Sequence, residues 1–346
     1  MGDFEIETFR ATLLKDEILL EVKNLKTYFR TEAGVGKAID GLDFVVKKGE
    51  VLGIVGESGS GKSVTALSLI RLIPNPPGEI VAGEVWYNGK DLLKLPLDEM
   101  YSIRGREISM IFQEPMTSLN PVFTIGFQVE EIIRHHGFVK ESEISDHAVK
   151  MLDHVGIPDA AKRMKDYPHQ FSGGMRQRVM IAIALACDPA ILIADEPTTA
   201  LDVTIQAQII DLMLSLQERR HEAAVIIITH DLAVIAETCQ RVIVMYGGMI
   251  QEVGEAEPLF EEPLHPYTIG LLKSLPRPDL QKQHRLYTIP GMVPSIIDFP
   301  SGCKFSSRCE KVMPICSRVE PRLEEVKSGR WVRCHLFSHA AEKGGE

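Results

Sequence analysis

The chain has 346 residues, of which 45% are hydrophobic and 25% are charged, and its formal net charge is -10. This composition is ordinary for a globular protein, and the length allows two domains or one large domain with an appendage. The acidic balance argues against a protein that binds nucleic acid through a basic surface. No apolar run reaches 18 residues, and the first residues are acidic where a secretory signal would be basic. We therefore expect a cytosolic chain that meets a membrane only through partners.

The first part of the chain predicts an N-terminal extension followed by strands. Residues 1–17 carry no motif, whereas apolar alternation over 18–29 and again over 38–46 predicts strands. Tyr28 and Phe29 end the first of these stretches. Either ring could stack on an adenine base, or it could simply pack in the core. Of the two, we favour Phe29 as the stacking residue.

A glycine-rich loop follows a short apolar strand at 51–55 and precedes a helical pattern. The loop fits the phosphate-binding motif G-x-x-x-x-G-K-[ST], whose backbone N–H groups point at phosphate oxygens. Lys62 would reach the β- and γ-phosphates, and the Ser63 hydroxyl would bind Mg²⁺. The predicted ATP-binding residues of this loop are Gly56, Glu57, Ser58, Gly59, Ser60, Gly61, Lys62, Ser63 and Val64.

In the middle of the chain the pattern predicts a strand that ends in a polar residue, and then a helical lobe. The residues at 84–87 read as a strand, and those at 108–112 form another that runs into Gln113. The amide of Gln113 could touch both Mg²⁺ and the attacking water, although this signal is weak by itself. Helical spacing then predicts an inserted lobe over about 120–178.

Two further buried strands end in groups suited to phosphate chemistry. The strand at 191–194 delivers Asp195 and Glu196, and the strand at 224–228 delivers His230 and Asp231. Asp195 fits a Mg²⁺ contact, with a helix cap as its alternative role. Glu196 could polarise a water for attack on the γ-phosphate, and His230 could donate a hydrogen bond to that phosphate.

Residues 171–177 (FSGGMRQ) resemble the signature loop of ATP-binding-cassette (ABC) ATPases, and they stand between Gln113 and Asp195 as in that family. By this resemblance the loop at 56–63 is the Walker A motif and Gln113 is the Q-loop glutamine. Asp195 is then the Walker B aspartate and Glu196 the catalytic glutamate. The resemblance implies an α/β fold: a RecA-like parallel sheet, an antiparallel β subdomain and a helical lobe.

The same resemblance assigns Asp202 to the D-loop and His230 to the switch histidine. It also implies that two nucleotide domains face each other head to tail with two ATP molecules between them. The signature residues of one domain complete the site of the other; here these are Ser172, Gly173, Gly174 and Gln177. A helix that begins at such a loop offers an anion-binding end that its own chain does not have to fill.

Three further stretches resemble the oligopeptide/dipeptide importer subfamily: FQEPMTSLNP at 112–121, YPHQ at 167–170 and HPYT at 265–268. Proline and polar content rises beyond about residue 255, and this shift divides a nucleotide-binding domain at 18–255 from a small, irregular C-terminal extension at 256–346. The resemblance implies as partners a homologous second ATPase, two transmembrane permease subunits and an extracytoplasmic substrate-binding protein. The implied location is the cytoplasmic face of the inner membrane. Peptides, a nickel chelate or glutathione remain open as cargo.

Two other classes of protein are alternatives to the importer. A soluble ABC ATPase of translation or DNA repair usually carries two cassettes or a long coiled-coil insertion, and this chain shows neither. A small-molecule kinase on the same phosphate loop would leave the Ser172-Gly173-Gly174 loop unexplained.

Four of the six cysteines lie in the last part of the chain. In a cytosolic protein such a group points to metal rather than to disulfides, but the spacing matches neither a zinc ribbon nor a ferredoxin. An iron–sulfur cluster, zinc and no metal therefore all stay open from the residues alone. The subfamily resemblance favours a [4Fe–4S] cluster, with zinc as the alternative, on Cys303, Cys309, Cys316 and Cys334.

Overall fold

The computed structural model describes residues 17–113, 118–198, 203–275 and 287–338. Most of the predicted N-terminal extension, residues 114–117 of the FQEPMTSLNP stretch and the D-loop residue Asp202 lie outside these ranges. The described residues divide into two compact units. The first contains 17–47, 51–93 and the described residues from 229 onward, and the second contains 48–50 and the described residues of 94–228.

The strands in chain order are β1 (Ile18–Thr31), β2 (Gly34–Lys47), β3 (Val51–Val55), β4 (Gly78–Tyr87), β5 (Lys90–Asp91), β6 (Ile108–Ile111), β7 (Ile191–Asp195), β8 (Ala224–Ile228), β9 (Arg241–Tyr246), β10 (Met249–Glu255), β11 (Glu324–Lys327) and β12 (Arg330–Val332). The α-helices are α1 (Lys62–Leu69), α2 (Leu97–Ile103), α3 (Ile125–His135), α4 (Ile144–His154), α5 (Ala160–Arg163), α6 (Gly173–Leu185), α7 (Val203–Arg219), α8 (Leu232–Thr238), α9 (Ala256–Glu261) and α10 (Pro266–Lys273). Within the described residues, no helix is both long enough and apolar enough to cross a bilayer.

The first unit contains two groups of paired strands. Strands β2, β1, β4 and β5 are neighbours in that order in an antiparallel sheet. In the second group β3 runs parallel to β9, and β10 and β12 then add antiparallel neighbours. Every residue of β3 and β9 is buried, as expected for a strand that reads as a continuous apolar run. The strand β3 leads directly into the phosphate loop.

The second unit contains the parallel strands β8, β7 and β6 and the helical lobe. Ile193 of β7 pairs with Ile226 of β8 on one side and with Met110 of β6 on the other. All residues of these three strands are buried. Because parallel strands share one direction, Gln113 after β6 and Asp195 at the end of β7 come to the same edge. Helices α3 to α6 supply the predicted lobe.

The predicted fold class is confirmed: an antiparallel β subdomain, buried parallel strands and a helical lobe. The strand expected over 18–29 is β1, whose pairing with β2 shifts register at several bulges. The C-terminal region is largely irregular, with short 3-10 helices at Ser306–Arg308 and Pro314–Ser317. It also contains a hairpin that the sequence analysis did not find, because β11 and β12 are short and lack a clear alternation.

A buried ion pair attaches this hairpin to β10. Arg330 of β12 donates to a Glu252 carboxylate oxygen at 2.7 Å, and the two side chains are 6% and 0% exposed. The same carboxylate accepts from the backbone N–H groups of Leu264 and His265. A buried charge persists when it is both paired and hydrogen-bonded, and here both conditions are met.

We expect Gly83→Ala to destabilise the β subdomain more than Gly89→Ala. Both glycines have positive φ, +111° and +75°, which costs an ordinary residue on the order of 1–2 kcal/mol. A Cβ at Gly83 would also lie 2.6 Å from the Leu25 Cα and 2.8 Å from the Asn24 carbonyl oxygen, whereas at Gly89 it would meet nothing within 4 Å. Overpacking should add about 1–3 kcal/mol at Gly83 alone. Thermal unfolding of both variants measures this difference, and equal melting temperatures would contradict it.

Candidate functional site

The phosphate loop links β3 to α1 through three glycines with positive φ. These are Gly56 (+153°), Gly59 (+78°) and Gly61 (+103°), the last in the left-handed conformation that caps α1. A Cβ at Gly56 would collide with the backbone carbonyl oxygen of Met245 on β9. The strand β9 therefore packs so closely against the loop that only glycine fits there.

The polar groups of this loop are suited to an anion. The Lys62 side chain is buried, and its Nζ donates to the Gly56 carbonyl at 2.7 Å and to the Glu57 carbonyl at 3.0 Å. The buried Ser60 hydroxyl finds no hydrogen-bond partner among the described residues. The Lys62 ammonium could exchange these carbonyl groups for phosphate oxygens. Together with the unsatisfied Ser60 hydroxyl near the N-terminus of α1, it fits a nucleotide phosphate. Ser63 and Val64, the other predicted residues of the helix start, are half-buried.

The two candidate adenine-stacking residues have different surroundings. The Tyr28 hydroxyl donates to an Asp40 carboxylate oxygen at 2.7 Å, and Lys37 Nζ lies 5.5 Å from the centre of its ring. Burial, followed by this hydrogen bond, raises the pKa of Tyr28. Phe29 pairs with Gly78 of β4, and both aromatic side chains are half-buried. The choice between them stays a prediction.

His230 follows β8, and its side chain is exposed. Its neighbour Asp231 has a structural role, because its carboxylate caps α8 by accepting from the backbone N–H groups of Ala233 (2.9 Å) and Val234 (3.4 Å). The backbone N–H of Asp231 donates to the Thr229 hydroxyl at 3.0 Å. The cap fixes the backbone on both sides of His230, whose role toward phosphate stays a prediction.

In the second unit the structure brings together Gln113 and Glu196. The Gln113 amide donates to a Glu196 carboxylate oxygen at 3.1 Å. The pairing of β6 with β7 explains this contact, since both side chains follow the carboxyl ends of adjacent parallel strands. Glu196 has a φ of +47°, an uncommon conformation for a residue other than glycine. Its backbone N–H is held by the Ile228 carbonyl at 2.8 Å. Such strain is typical of functional sites.

Asp195 is the last residue of β7, and it is 4% exposed. Residues 196–198 form a bend and a turn rather than a helix, so Asp195 does not cap a helix at this position. A buried carboxylate at the end of a parallel strand is a hard oxygen ligand of the type that Mg²⁺ prefers.

The predicted signature residues form the start of α6. The Ser172 hydroxyl caps the helix by accepting from the backbone N–H of Met175 at 3.3 Å. A Cβ at Gly173 or Gly174 would meet nothing within 4 Å, so this helix end is open. Gln177, one turn further along, is only 3% exposed and packs inside the lobe. The predicted contact of Gln177 with a partner's ATP stays a prediction.

The four C-terminal cysteines are neighbours, but they are not arranged as metal ligands. Across residues 17–113, 118–198, 203–275 and 287–338 there is no group of three or more His, Cys, Asp or Glu side chains that could hold a metal ion. Burial raises the pKa of Cys303 to about 12 and that of Cys334 to about 11, and it also raises the pKa of Cys309. The described residues therefore give no support to the predicted iron–sulfur or zinc site.

Sequence reasoning missed two residues that contact the phosphate loop from the C-terminal region. Arg308 binds the Glu57 carboxylate, and the Tyr267 hydroxyl accepts from the Glu57 backbone N–H. The only signal was the presence of Tyr267 in the HPYT stretch, which says nothing about its contact. Arg308 and Tyr267 lie 251 and 210 residues from Glu57 in the chain, so no local sequence pattern predicts their contacts with it.

Comparison with known proteins identifies the family. The family profile "ABC transporter" matches residues 39–199, and the profile "Oligopeptide/dipeptide transporter, C-terminal region" matches residues 251–316. The oligopeptide transport ATP-binding protein AppD of Bacillus subtilis is 51% identical over 95% of this chain and 98% of its own length. This chain belongs to the oligopeptide/dipeptide group of ABC transporter ATP-binding proteins. It is an ATPase.

Other relatives agree with this assignment. The dipeptide transport ATP-binding protein DppD of Escherichia coli is 49% identical over 92% of this ATPase and 96% of its own length. The solved dimeric structure of the ATP-binding cassette MJ0796, in a post-hydrolysis state bound to ADP and Pi, is 29% identical with a TM-score of 0.62. It covers 69% of this chain and 99% of its own.

We expect Glu196→Gln to reduce steady-state ATP hydrolysis by roughly 10²- to 10⁴-fold, because a neutral amide cannot accept a proton from the attacking water. The ATP dissociation constant should change little, since the substitution keeps the size of the side chain. Phosphate release and equilibrium ATP binding measure the two effects. Glu107→Gln, at the opposite end of β6, is the control and should hydrolyse ATP like the wild type. Near-wild-type turnover by Glu196→Gln would exclude Glu196 as the general base.

Proposed function

We propose that this ATPase is the energy-coupling subunit of an ABC importer for dipeptides or oligopeptides. The observation that carries the proposal is the match at 251–316 to the C-terminal region of oligopeptide/dipeptide transporters, together with about 50% identity to AppD and DppD. Both relatives are named for peptide transport. In this proposal the chain lies on the cytoplasmic face of the inner membrane and drives two permease subunits, which receive cargo from an extracytoplasmic binding protein.

The residues of the loop and those at the strand ends have different roles in ATP binding and hydrolysis. Lys62 and the loop N–H groups would bind the β- and γ-phosphates, and Ser63, Gln113 and Asp195 would hold Mg²⁺. When bound, Mg²⁺ neutralises charge that develops on the phosphates. Glu196 accepts the proton of the attacking water, and the hydrogen bond from Gln113 orients its carboxylate. His230 donates to the γ-phosphate.

A second, homologous ATPase subunit completes the nucleotide site. The open start of α6 supports this arrangement, because Ser172 and Gly173 are exposed and a Cβ at Gly173 or Gly174 would meet nothing within 4 Å. The N-terminal end of an α-helix carries a partial positive charge and attracts anions. Two ATP molecules then lie between the subunits, so that ATP favours the closed pair and its hydrolysis releases it.

A pair of isosteric variants tests whether Ser172 faces a phosphate. Asp and Asn are both good helix caps, so Ser172→Asp and Ser172→Asn should each keep the stability of α6. Only Asp adds a negative charge where a phosphate would bind. We expect Ser172→Asp to lower the ATPase activity of the assembled transporter on the order of tenfold below Ser172→Asn. Equal activities with equal melting temperatures would contradict a phosphate at this helix end.

The transporter itself is tested by purifying the tagged chain from gently solubilised membranes and identifying the co-purifying proteins by mass spectrometry. The proposal predicts two multi-span subunits, a homologous ATPase and an extracytoplasmic binding protein. Ribosomal or DNA-repair proteins without a membrane subunit would overturn the transport function. Peptides, nickel chelates and glutathione are then compared as ligands of that binding protein, and binding of only the latter two would overturn peptide as the cargo.

The predicted metal cluster is a separate question from transport. The four cysteines at 303, 309, 316 and 334 lie close together, and the backbone N–H of Cys303 donates to the Cys316 carbonyl at 2.8 Å, although no metal-binding group is found among the described residues. Iron and zinc analysis of the anaerobically purified chain, with a visible absorbance spectrum, distinguishes the iron–sulfur and zinc alternatives. Less than one metal per four cysteines, without visible absorbance, would exclude both.

A further inference from the structure

The C-terminal region binds the second residue of the phosphate loop with a buried arginine. Arg308 donates to both Glu57 carboxylate oxygens, from Nη1 at 2.5 Å and from Nη2 at 3.0 Å. The Arg308 side chain is 4% exposed and that of Glu57 is 26% exposed. Such a two-point contact fixes the orientation of the carboxylate as well as its position.

The surroundings of Arg308 hold it in this orientation. Its Nε donates to the Pro290 carbonyl at 3.1 Å, and its guanidinium lies 5.8 Å from the Tyr246 ring centre and 6.0 Å from that of Phe305. The Glu57 hydrogen bond raises the pKa of Arg308, so the guanidinium stays charged. A buried arginine with this many fixed partners has little freedom to follow Glu57 if the loop moves.

The backbone of Glu57 is held from the same region. Its N–H donates to the hydroxyl of Tyr267, a residue of α10 that is fully buried, at 2.8 Å. Its carbonyl accepts from Lys62 Nζ at 3.0 Å. Glu57 therefore connects the C-terminal region to the lysine that is to bind the phosphates.

We propose that Arg308 and Tyr267 are positioning residues that hold the phosphate loop in its ATP-binding conformation through Glu57. Neither residue needs to touch the nucleotide. A loop that is already ordered gives up less conformational freedom when it binds, and its N–H groups are correctly placed beforehand. The C-terminal region would thereby set the ATP affinity of this subunit. This inference rests on ATP binding by the loop and not on the proposed cargo or partners.

A double-mutant cycle on the full-length chain tests the proposal, with equilibrium ATP binding as the measurement. Arg308→Gln should weaken ATP binding roughly 5- to 50-fold. In a Glu57→Gln background the same substitution should have little further effect on ATP binding, because the carboxylate that Arg308 binds has already been replaced by a neutral amide. Arg308→Lys should restore only part of the affinity, since lysine keeps the charge but cannot make the two-point contact. Tyr267→Phe, which keeps the ring, should weaken binding with no loss of charge.

Arg330→Gln is the matched control. Arg330 is also buried and also ties the C-terminal region to the core through a glutamate, but it donates to Glu252 and to the Pro258 and Glu262 carbonyls rather than to Glu57. We expect Arg330→Gln to lower the melting temperature while leaving the ATP dissociation constant unchanged. In the assembled transporter, Arg308→Gln should raise KM with little change in kcat, because the reacting groups stay in place.

Three results would overturn the proposal. The first is wild-type ATP affinity in Arg308→Lys and Tyr267→Phe, which are the mildest variants. The second is an equal loss of affinity in Arg330→Gln, which would indicate a general loss of stability. The third is a full effect of Arg308→Gln in the Glu57→Gln background, which would show that Arg308 does not act through Glu57. Failure to bind ATP in the wild-type chain would instead refute the ATP site itself.

Discussion

The backbone of the phosphate loop is the constraint on which the rest of this site depends. Its N–H groups converge only if Gly56, Gly59 and Gly61 adopt positive φ, and the close approach of β9 to Gly56 leaves no room for a side chain. Strand β3 must be buried and rigid to carry the loop, and α1 must begin directly after it to add its partial positive charge. Lys62 closes the loop, because its Nζ donates to the carbonyl groups of Gly56 and Glu57.

Parallel pairing brings together the candidate catalytic residues of the second unit. Gln113 and Glu196 are 83 residues apart in the chain and form a hydrogen bond because β6 and β7 end at the same edge. The positive φ of Glu196 turns its side chain away from the direction that a regular strand would give it. The adjacent β8 carbonyl of Ile228 holds this conformation, so that the strain is fixed by the sheet.

The C-terminal region is tied to its unit by two arginine–glutamate pairs with different consequences. The pair of Arg330 with Glu252 is buried at β10, away from the loop, and serves to attach a hairpin. The pair of Arg308 with Glu57 ends on the phosphate loop. Breaking a buried pair leaves one charge without compensation, so each pair makes the position of the C-terminal region depend on a residue of the core. Only the second links that position to nucleotide binding.

The sequence by itself determined the fold class and the place of the phosphate loop between β3 and α1. Contiguous patterns carry that information: an apolar strand, a glycine motif within eight residues and a carboxylate pair after β7. Tertiary structure decided what depends on distant partners. The contact of Arg308 with Glu57 spans 251 residues, and the hairpin at 324–332 joins β10. The cysteine cluster that suggested a metal forms no metal-binding group among the described residues. Such contacts join residues that are far apart in the chain, and a local sequence pattern does not determine which distant residues will meet in the fold.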